Sequence, residues 1–267
     1  MRVSLIITTY NWPEALEACL MTALNQTRLP DEIVVADDGS GEATAQCIER
    51  IRKIASVPLH HAWQPDEGFR AAAARNRAIA QCHCDYLVMI DGDMLLHPAF
   101  IRDHIDAAEE GFFVQGGRVL IDEQRSRELL SSPGCLPSFR DRGISNRKNA
   151  LHCPFLSRFF SRATAVLSGI KTCNFALFRA DALAVNGFDN AFVGWGREDS
   201  EFANRLLCAG LKRKTLKFAA VANHCYHPEN SRTALEVNDQ RLARSIEECL
   251  VCCEDGVNRF IKESHES

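Results

Sequence analysis

The chain has 267 residues, 46% of them hydrophobic, with 35 Asp and Glu against 31 Lys and Arg for a net charge of −4. That size and composition can bury a core for one large α/β domain, or one domain with an appendage. The acidic balance and a pI near 6.1 exclude a nucleic-acid binder driven by bulk charge, and no apolar run reaches the ~20 residues of a membrane span.

In chain order, Met1 to Ile7 is too short for a signal peptide, and Val3 to Thr8 reads as a first strand ending in Thr9-Tyr10-Asn11-Trp12-Pro13. Pro13 suits a first helical turn, and Leu16, Leu20, Ala23 and Leu24 give that helix an apolar stripe. Glu32 to Ala36 is a second strand, stopped by Asp37-Asp38-Gly39-Ser40, and Ala43 to Ile54 is helical. Leu59 to Trp63 is a third strand, Ala71 to Cys82 an Ala-rich helix and Tyr86 to Ile90 a fourth strand. This alternation predicts an α/β fold: a Rossmann-like, mostly parallel sheet with helices on both faces and ligands at the carboxyl ends of its strands. Thr8 to Asn11, Asp37-Asp38 and Asp91 to Asp93 all fall at those ends.

Past about residue 115 the alternation breaks. Residues 131–165 are rich in Pro, Gly, Arg and Phe and read as a long loop or lid. Leu167 to Phe178 is strand-like, Gly194-Trp195-Gly196-Arg197-Glu198-Asp199 opens a helix, Lys214 to Ala222 is a strand, and Arg241 to Phe260 a closing amphipathic helix. Twelve scattered cysteines with no export signal read as reduced, buried thiols of a cytoplasmic protein. Cys249-x-x-Cys252 and Cys82-x-Cys84 lack a second pair at zinc-finger spacing.

Asp91-Gly92-Asp93 carries the sharpest chemistry. Residues i and i+2 of an extended segment point the same way, so both carboxylates can converge on a hard divalent cation, with Gly92 leaving room for a ligand. The same residues also suit a plain polar turn. Asp37-Asp38 offer acceptors for a base or ribose, and Arg70 and Arg75 offer guanidinium groups suited to phosphate or to a solvated helix face.

Taken in this order, Thr-Thr-Tyr-Asn, Asp-Asp-Gly-Ser, Gly68-Phe69-Arg70 with Arg75-Asn76, and Asp-Gly-Asp resemble glycosyltransferase family 2, inverting enzymes of the GT-A fold. Gly194 to Asp199 resembles the Gly-Trp-Gly-x-Glu-Asp motif of β-1,4-galactosyltransferases and bacterial chondroitin-type polymerases. The resemblance implies a nucleotide-sugar half at 1–115, an acceptor-binding and catalytic half at 116–230, and a helical segment at 231–267, within a single GT-A domain. It implies UDP-sugar contacts from Thr8, Thr9, Tyr10, Asp37, Asp38, Gly68, Arg70, Arg75, Asp91 and Gly92. A metal would lie on Asp93, His224 and His227, with Mn²⁺ preferred over Mg²⁺ because a histidine stands where the galactosyltransferases carry Met. Asp199 would be the base, Glu198 a hydrogen-bonding partner of the sugars, and Trp195, flanked by Gly194 and Gly196, a sugar platform. The expected reaction moves galactose or N-acetylgalactosamine from UDP to a glycan or glycolipid, in the cytoplasm or against the inner membrane face through the basic, aromatic segment around Arg140 to Phe160. The alternatives are a nucleotidyltransferase, disfavoured by the lack of a Gly-rich basic loop after the first strand, and an inactive sugar-binding module. A nucleic-acid partner is not expected.

Overall fold

The computed structural model describes residues 1–132, 135–228 and 231–261. Residues 133–134 of the expected lid, 229–230 at the end of the expected acceptor half and 262–267 of the terminal segment lie outside the described residues. The first half runs β1 (Val3–Thr9), α1 (Pro13–Leu24), β2 (Glu32–Asp37), α2 (Glu42–Arg52), β3 (Leu59–Trp63), α3 (Ala71–Gln81) and β4 (Tyr86–Asp91). There follow β5 (Met94–Leu96), α4 (Phe100–Ala107), β6 (Phe112–Gln115), β7 (Val119–Ile121), α5 (Glu123–Leu130) and β8 (Ile144–Ser145). A 3-10 turn (Arg147–Ala150) leads to α6 (Pro154–Phe160), β9 (Arg162–Thr164), β10 (Asn174–Phe178) and α7 (Arg179–Ala184). The chain closes with α8 (Glu198–Cys208), β11 (Lys212–Thr215), β12 (Ala222–His224) and α9 (Leu235–Glu247).

An eight-stranded sheet has the order β3-β2-β1-β4-β10-β6-β11-β9 and passes through both halves of the chain. The strands β3, β2, β1 and β4 are parallel, as the short strand–helix alternation dictates, whereas β10 is antiparallel to both β4 and β6. Alternation along the strands sorts the core into two layers. Leu5 and Ile7 pack with Leu16 and Leu20 of α1 and Ile48 of α2, and Ile6, Val34 and Met89 pack with the Ala face of α3 and with Phe202 and Leu206 of α8. Asn174 pins the centre: its amide nitrogen donates to the Gly117 and Ala220 carbonyls, each at 2.8 Å, and its oxygen bonds His104 Nε2 at 2.9 Å.

A second sheet, β5-β12-β7-β8, folds beside the end of β4. Four expectations are corrected here. The expected loop at 131–165 carries β8, the 3-10 turn, α6 and β9, each too short to announce itself by periodicity. The expected strand Lys214 to Ala222 is two strands in different sheets, β11 and β12. The closing helix ends at Glu247, followed by Cys249 with a left-handed φ of 45°. Cys249 is joined to Cys208 in a disulfide, so not every cysteine is a reduced thiol; the other ten are free.

Candidate active site

Arg75 is the centre of the site. It extends from α3, buried, and reaches across the carboxyl ends of β1 and β4 to the start of α8. Its Nε donates to Thr8 Oγ1 at 3.2 Å, Nη2 to Asp91 Oδ1 at 3.3 Å and Nη1 to Asp199 Oδ1 at 3.2 Å, with Glu198 Oε1 at 3.6 Å. Burial opposes its charge, but Asp199, Asp91 and Glu198 outweigh that and raise its pKa. One guanidinium thus joins the Asp-Gly-Asp strand end to the Glu-Asp helix start, where Asp199 lies 124 residues beyond Arg75 in sequence. Much of its donor capacity is thereby committed to these carboxylates and to Thr8.

Asp199 is held from the other side by Thr172, a buried residue that sequence reading missed. The Thr172 hydroxyl donates to Oδ1 at 2.6 Å and its backbone N–H to Oδ2 at 3.0 Å. Glu198 is more enclosed and its Oε2 has no hydrogen-bond partner. Burial first, and then repulsion from Asp199, push its pKa up to about 7, against the pull of Arg75. Both acids line a cavity of about 290 Å³ with Lys171, Trp195, Arg232 and Leu235, so a helix start that favours acids electrostatically also aims them at open space. Gly194 has φ 79°, and a Cβ there would strike Ala234, so the turn admits only glycine. The Gly194 N–H donates to the Phe69 carbonyl at 2.8 Å, which fastens the Gly-Trp-Gly loop to the Gly68–Arg70 loop. Asn238 of α9, another residue the sequence did not flag, donates to the Gly196 carbonyl at 3.0 Å.

The two carboxylates of Asp-Gly-Asp are sorted to different partners. Asp91 faces Arg75, and loss of solvation raises its pKa against that attraction. Asp93 lies 3.5 Å from His224 Nε2 and 3.4 Å from His227 Nε2, because β12 pairs antiparallel with β5 and sets His224 opposite Met94. One ligand atom from each of these three residues falls within 4.8 Å of the others. Burial and the neighbouring Asp91 push the Asp93 carboxyl up to about 8, and its Oδ1 is buried with no partner. Burial, helped by Arg118, His227 and Lys171, pushes His224 down to about 3, which leaves a neutral imidazole with a free lone pair. Packing also favours glycine at position 92, since a Cβ there would come 3.0 Å from the Thr8 carbonyl.

The remaining expected residues sit around this centre. Asp37 is fully buried, bonded to His61 Nε2 at 2.7 Å and to the Ser40 N–H at 2.8 Å. Asp38 accepts from Gln64 at 2.7 Å and from the Arg70 N–H at 2.7 Å, and burial raises its pKa. Both are therefore braces of the loop floor. Thr9 accepts the Asp38 N–H through its carbonyl at 3.1 Å. Tyr10 is exposed at the rim, its hydroxyl donating to Asp66 at 3.0 Å. The Arg70 guanidinium pairs with Glu67 at 2.7 Å, and the Gly68 N–H bonds Asp66 at 3.2 Å. Arg118 and Lys171 lie close enough to the Asp93–His224 cluster to shift its titration, and sequence reading missed both because they sit in loops without a motif.

A parallel-to-mixed α/β sheet with carboxylates and imidazoles collected at its strand ends puts the candidate site where open α/β sheets bind their ligands. The profile of glycosyl transferase family 2 matches residues 4–183, and that of the N-terminal domain of galactosyltransferase matches 161–228. The chain belongs to glycosyltransferase family 2. It is 29% identical to a hyaluronan synthase of Pasteurella multocida over 80% of this chain and 24% of that protein. It is 26% identical to a chondroitin synthase of Escherichia coli over 85% and 34%. A validoxylamine A glucosyltransferase of Streptomyces hygroscopicus subsp. limoneus is 27% identical over 91% and 56%. The chain therefore spans a quarter to just over half of these relatives. Among solved structures, S. aureus TarS 1–349 with UDP superposes at a TM-score of 0.64, with 17% identity over 98% of this chain and 70% of that one, and thus shares the GT-A fold.

Proposed function

We propose that the chain performs inverting, metal-dependent transfer of galactose or N-acetylgalactosamine from a UDP-sugar to a hydroxyl of a glycan or glycolipid. The observation that carries this reading is the Arg75 junction, which ties Asp91 to Glu198 and Asp199, the two acids that line one cavity. The relatives named as hyaluronan, chondroitin and glucosyl transfer enzymes support glycosyl transfer, and the UDP and UDP-GlcNAc held by TarS support a UDP-sugar donor.

An oxygen from Asp93 and nitrogens from His224 and His227 fit a divalent ion: the ligand atoms are close, Asp93 Oδ1 lacks any other partner, and His224 is neutral. Imidazoles in the set favour Mn²⁺ over Mg²⁺. Such an ion, when bound, neutralises charge on the departing diphosphate. Arg118 and Lys171 add positive charge on the same side. Asp199, fixed by Thr172 and Arg75, accepts the proton of the acceptor hydroxyl as that oxygen attacks the anomeric carbon from the face opposite UDP. The unpartnered Glu198 Oε2 hydrogen-bonds a sugar hydroxyl, and the half-exposed Trp195 ring supports an apolar sugar face.

Calorimetric titration of UDP tests the donor side. The wild-type chain should bind UDP only with a divalent ion present, more tightly with Mn²⁺ than with Mg²⁺, and Asp93→Ala should lose most of that ion-dependent affinity. Unchanged binding in the variant would remove the metal from the reading.

A further inference from the structure

Residues 139–166 hold seven of the seventeen exposed large apolar side chains found among the described residues, though they make up only 28 of 267 positions. On α6, Phe155 and Phe159 are 68% and 69% exposed and touch each other edge to face at 5.2 Å. Phe160, 52% exposed, leans on Phe218 at 5.6 Å, and Leu156 and Val166 stand outside as well. Rings so exposed in a short helix at the end of a sheet are not core residues, and phenylalanine has no polar tip that would make exposure useful in water.

Charge separates this face from the rest of the molecule. The chain is acidic overall, yet residues 142–180 contain seven Arg and Lys and no Asp or Glu. Arg158 is exposed on α6 and Arg162 on β9, the edge strand, whose partner β11 brings Lys212 and Arg213 alongside; Lys217 follows, its N–H on Ser161 Oγ at 3.3 Å. The face also leads to the site: the chain leaving β9 reaches Lys171, on the cavity wall, seven residues after Thr164.

We propose that α6 and the β9 edge dock on an anionic lipid bilayer, with Phe155, Phe159 and Phe160 in the headgroup boundary and the arginines and lysines against lipid phosphates. A soluble polyanion would satisfy the cations but give the rings nothing, so the aromatic cluster favours a bilayer. A bilayer here would hold the cavity near a lipid-borne acceptor.

The test is co-sedimentation of the full chain with phosphatidylcholine vesicles, with and without phosphatidylglycerol, at low and high salt. Binding should require the anionic lipid and weaken with salt, and Phe155→Ser/Phe159→Ser should bind at least about tenfold more weakly. Arg158→Glu/Arg162→Glu should lose it too. Both double variants should keep the wild-type melting temperature, and both should keep wild-type UDP affinity, so a failed donor reading cannot be mistaken for failed docking. Absence of vesicle binding by the wild-type chain overturns the proposal. So does binding that survives the phenylalanine changes, or that heparin abolishes while those changes do nothing, since each would mark a polyanion site.

Discussion

Thr172, Arg75 and Asp199 form a chain of contacts in which each partner limits the motion of the next. The resulting prediction is a division of labour. Asp199→Asn keeps the shape and some hydrogen bonding but cannot take a proton, so kcat should fall by about 10²–10⁴-fold while donor affinity barely moves. Should Glu198→Gln abolish turnover while Asp199→Asn keeps it, the base is the neighbour. Asp93 gives a pH test with a definite sign. Its carboxyl, pushed up to about 8 by burial and Asp91, must lose a proton to bind an ion. Ion affinity should therefore weaken about tenfold per pH unit as pH drops below about 8, with one proton released per ion, read by calorimetry in buffers of different ionisation enthalpy. Asp93 and Glu198 both hold protons more tightly folded than unfolded, so their contribution favours the fold below their ordinary range and is lost as pH rises through about 7 and 8. In chelator the melting temperature should decline over that window, and Mn²⁺ should restore it. A chelated chain equally stable at pH 5 and pH 8.5 would contradict this electrostatic picture. His224 stays neutral until about pH 3, so an acid limb near pH 6 would not come from it.

At the scale of elements, α8 and α9 are bound together by more than packing. The disulfide Cys208–Cys249 closes a loop of 41 residues from the end of α8 to the turn after α9, with the two Cα atoms 5.7 Å apart. A loop of that size predicts about 3–4 kcal/mol of stabilisation from the lowered entropy of the unfolded chain. Cys249→Ser should lower the melting temperature of the oxidised chain and leave that of the reduced chain nearly unchanged; equal melting under oxidising and reducing conditions would show that the bond does not form. This pairing was invisible in the sequence because it depends on where two helices end. The elements β1 to β4 and α1 to α3 were legible, since apolar runs of five to seven residues alternate with helical stripes and local signals suffice. β9, three residues long, exists only through pairing with β11, some 50 residues later, and no local pattern announces it. α9 read too long because the amphipathic spacing continues past Glu247, while the left-handed Cys249 ends the helix.

At the scale of the molecule, the two halves share one sheet and meet at Arg75 and at the Gly194–Phe69 backbone bond. The clusters Asp91, Asp93, Glu198, Asp199, His224 and His227 were legible as motifs, and the fold brings them to one end of that sheet. What the sequence could not show was how the charges pair within the fold. Arg75 spends its donors on carboxylates, Asp37 is a sealed brace, and Arg118, Lys171 and Thr172 emerge only when separate loops come together. A nucleotidyltransferase would call for a Gly-rich, basic loop after the first strand, and Thr9 to Pro13 contains neither glycine nor a basic residue. The most direct test of the account is UDP release from a panel of UDP-hexoses with an oligosaccharide acceptor, in Mn²⁺, Mg²⁺ or chelator. The account predicts release from UDP-galactose or UDP-N-acetylgalactosamine that is fastest with Mn²⁺, abolished by chelator, and lost in Asp93→Ala. Release indifferent to chelator, or none from any UDP-hexose with the ion present, would contradict it.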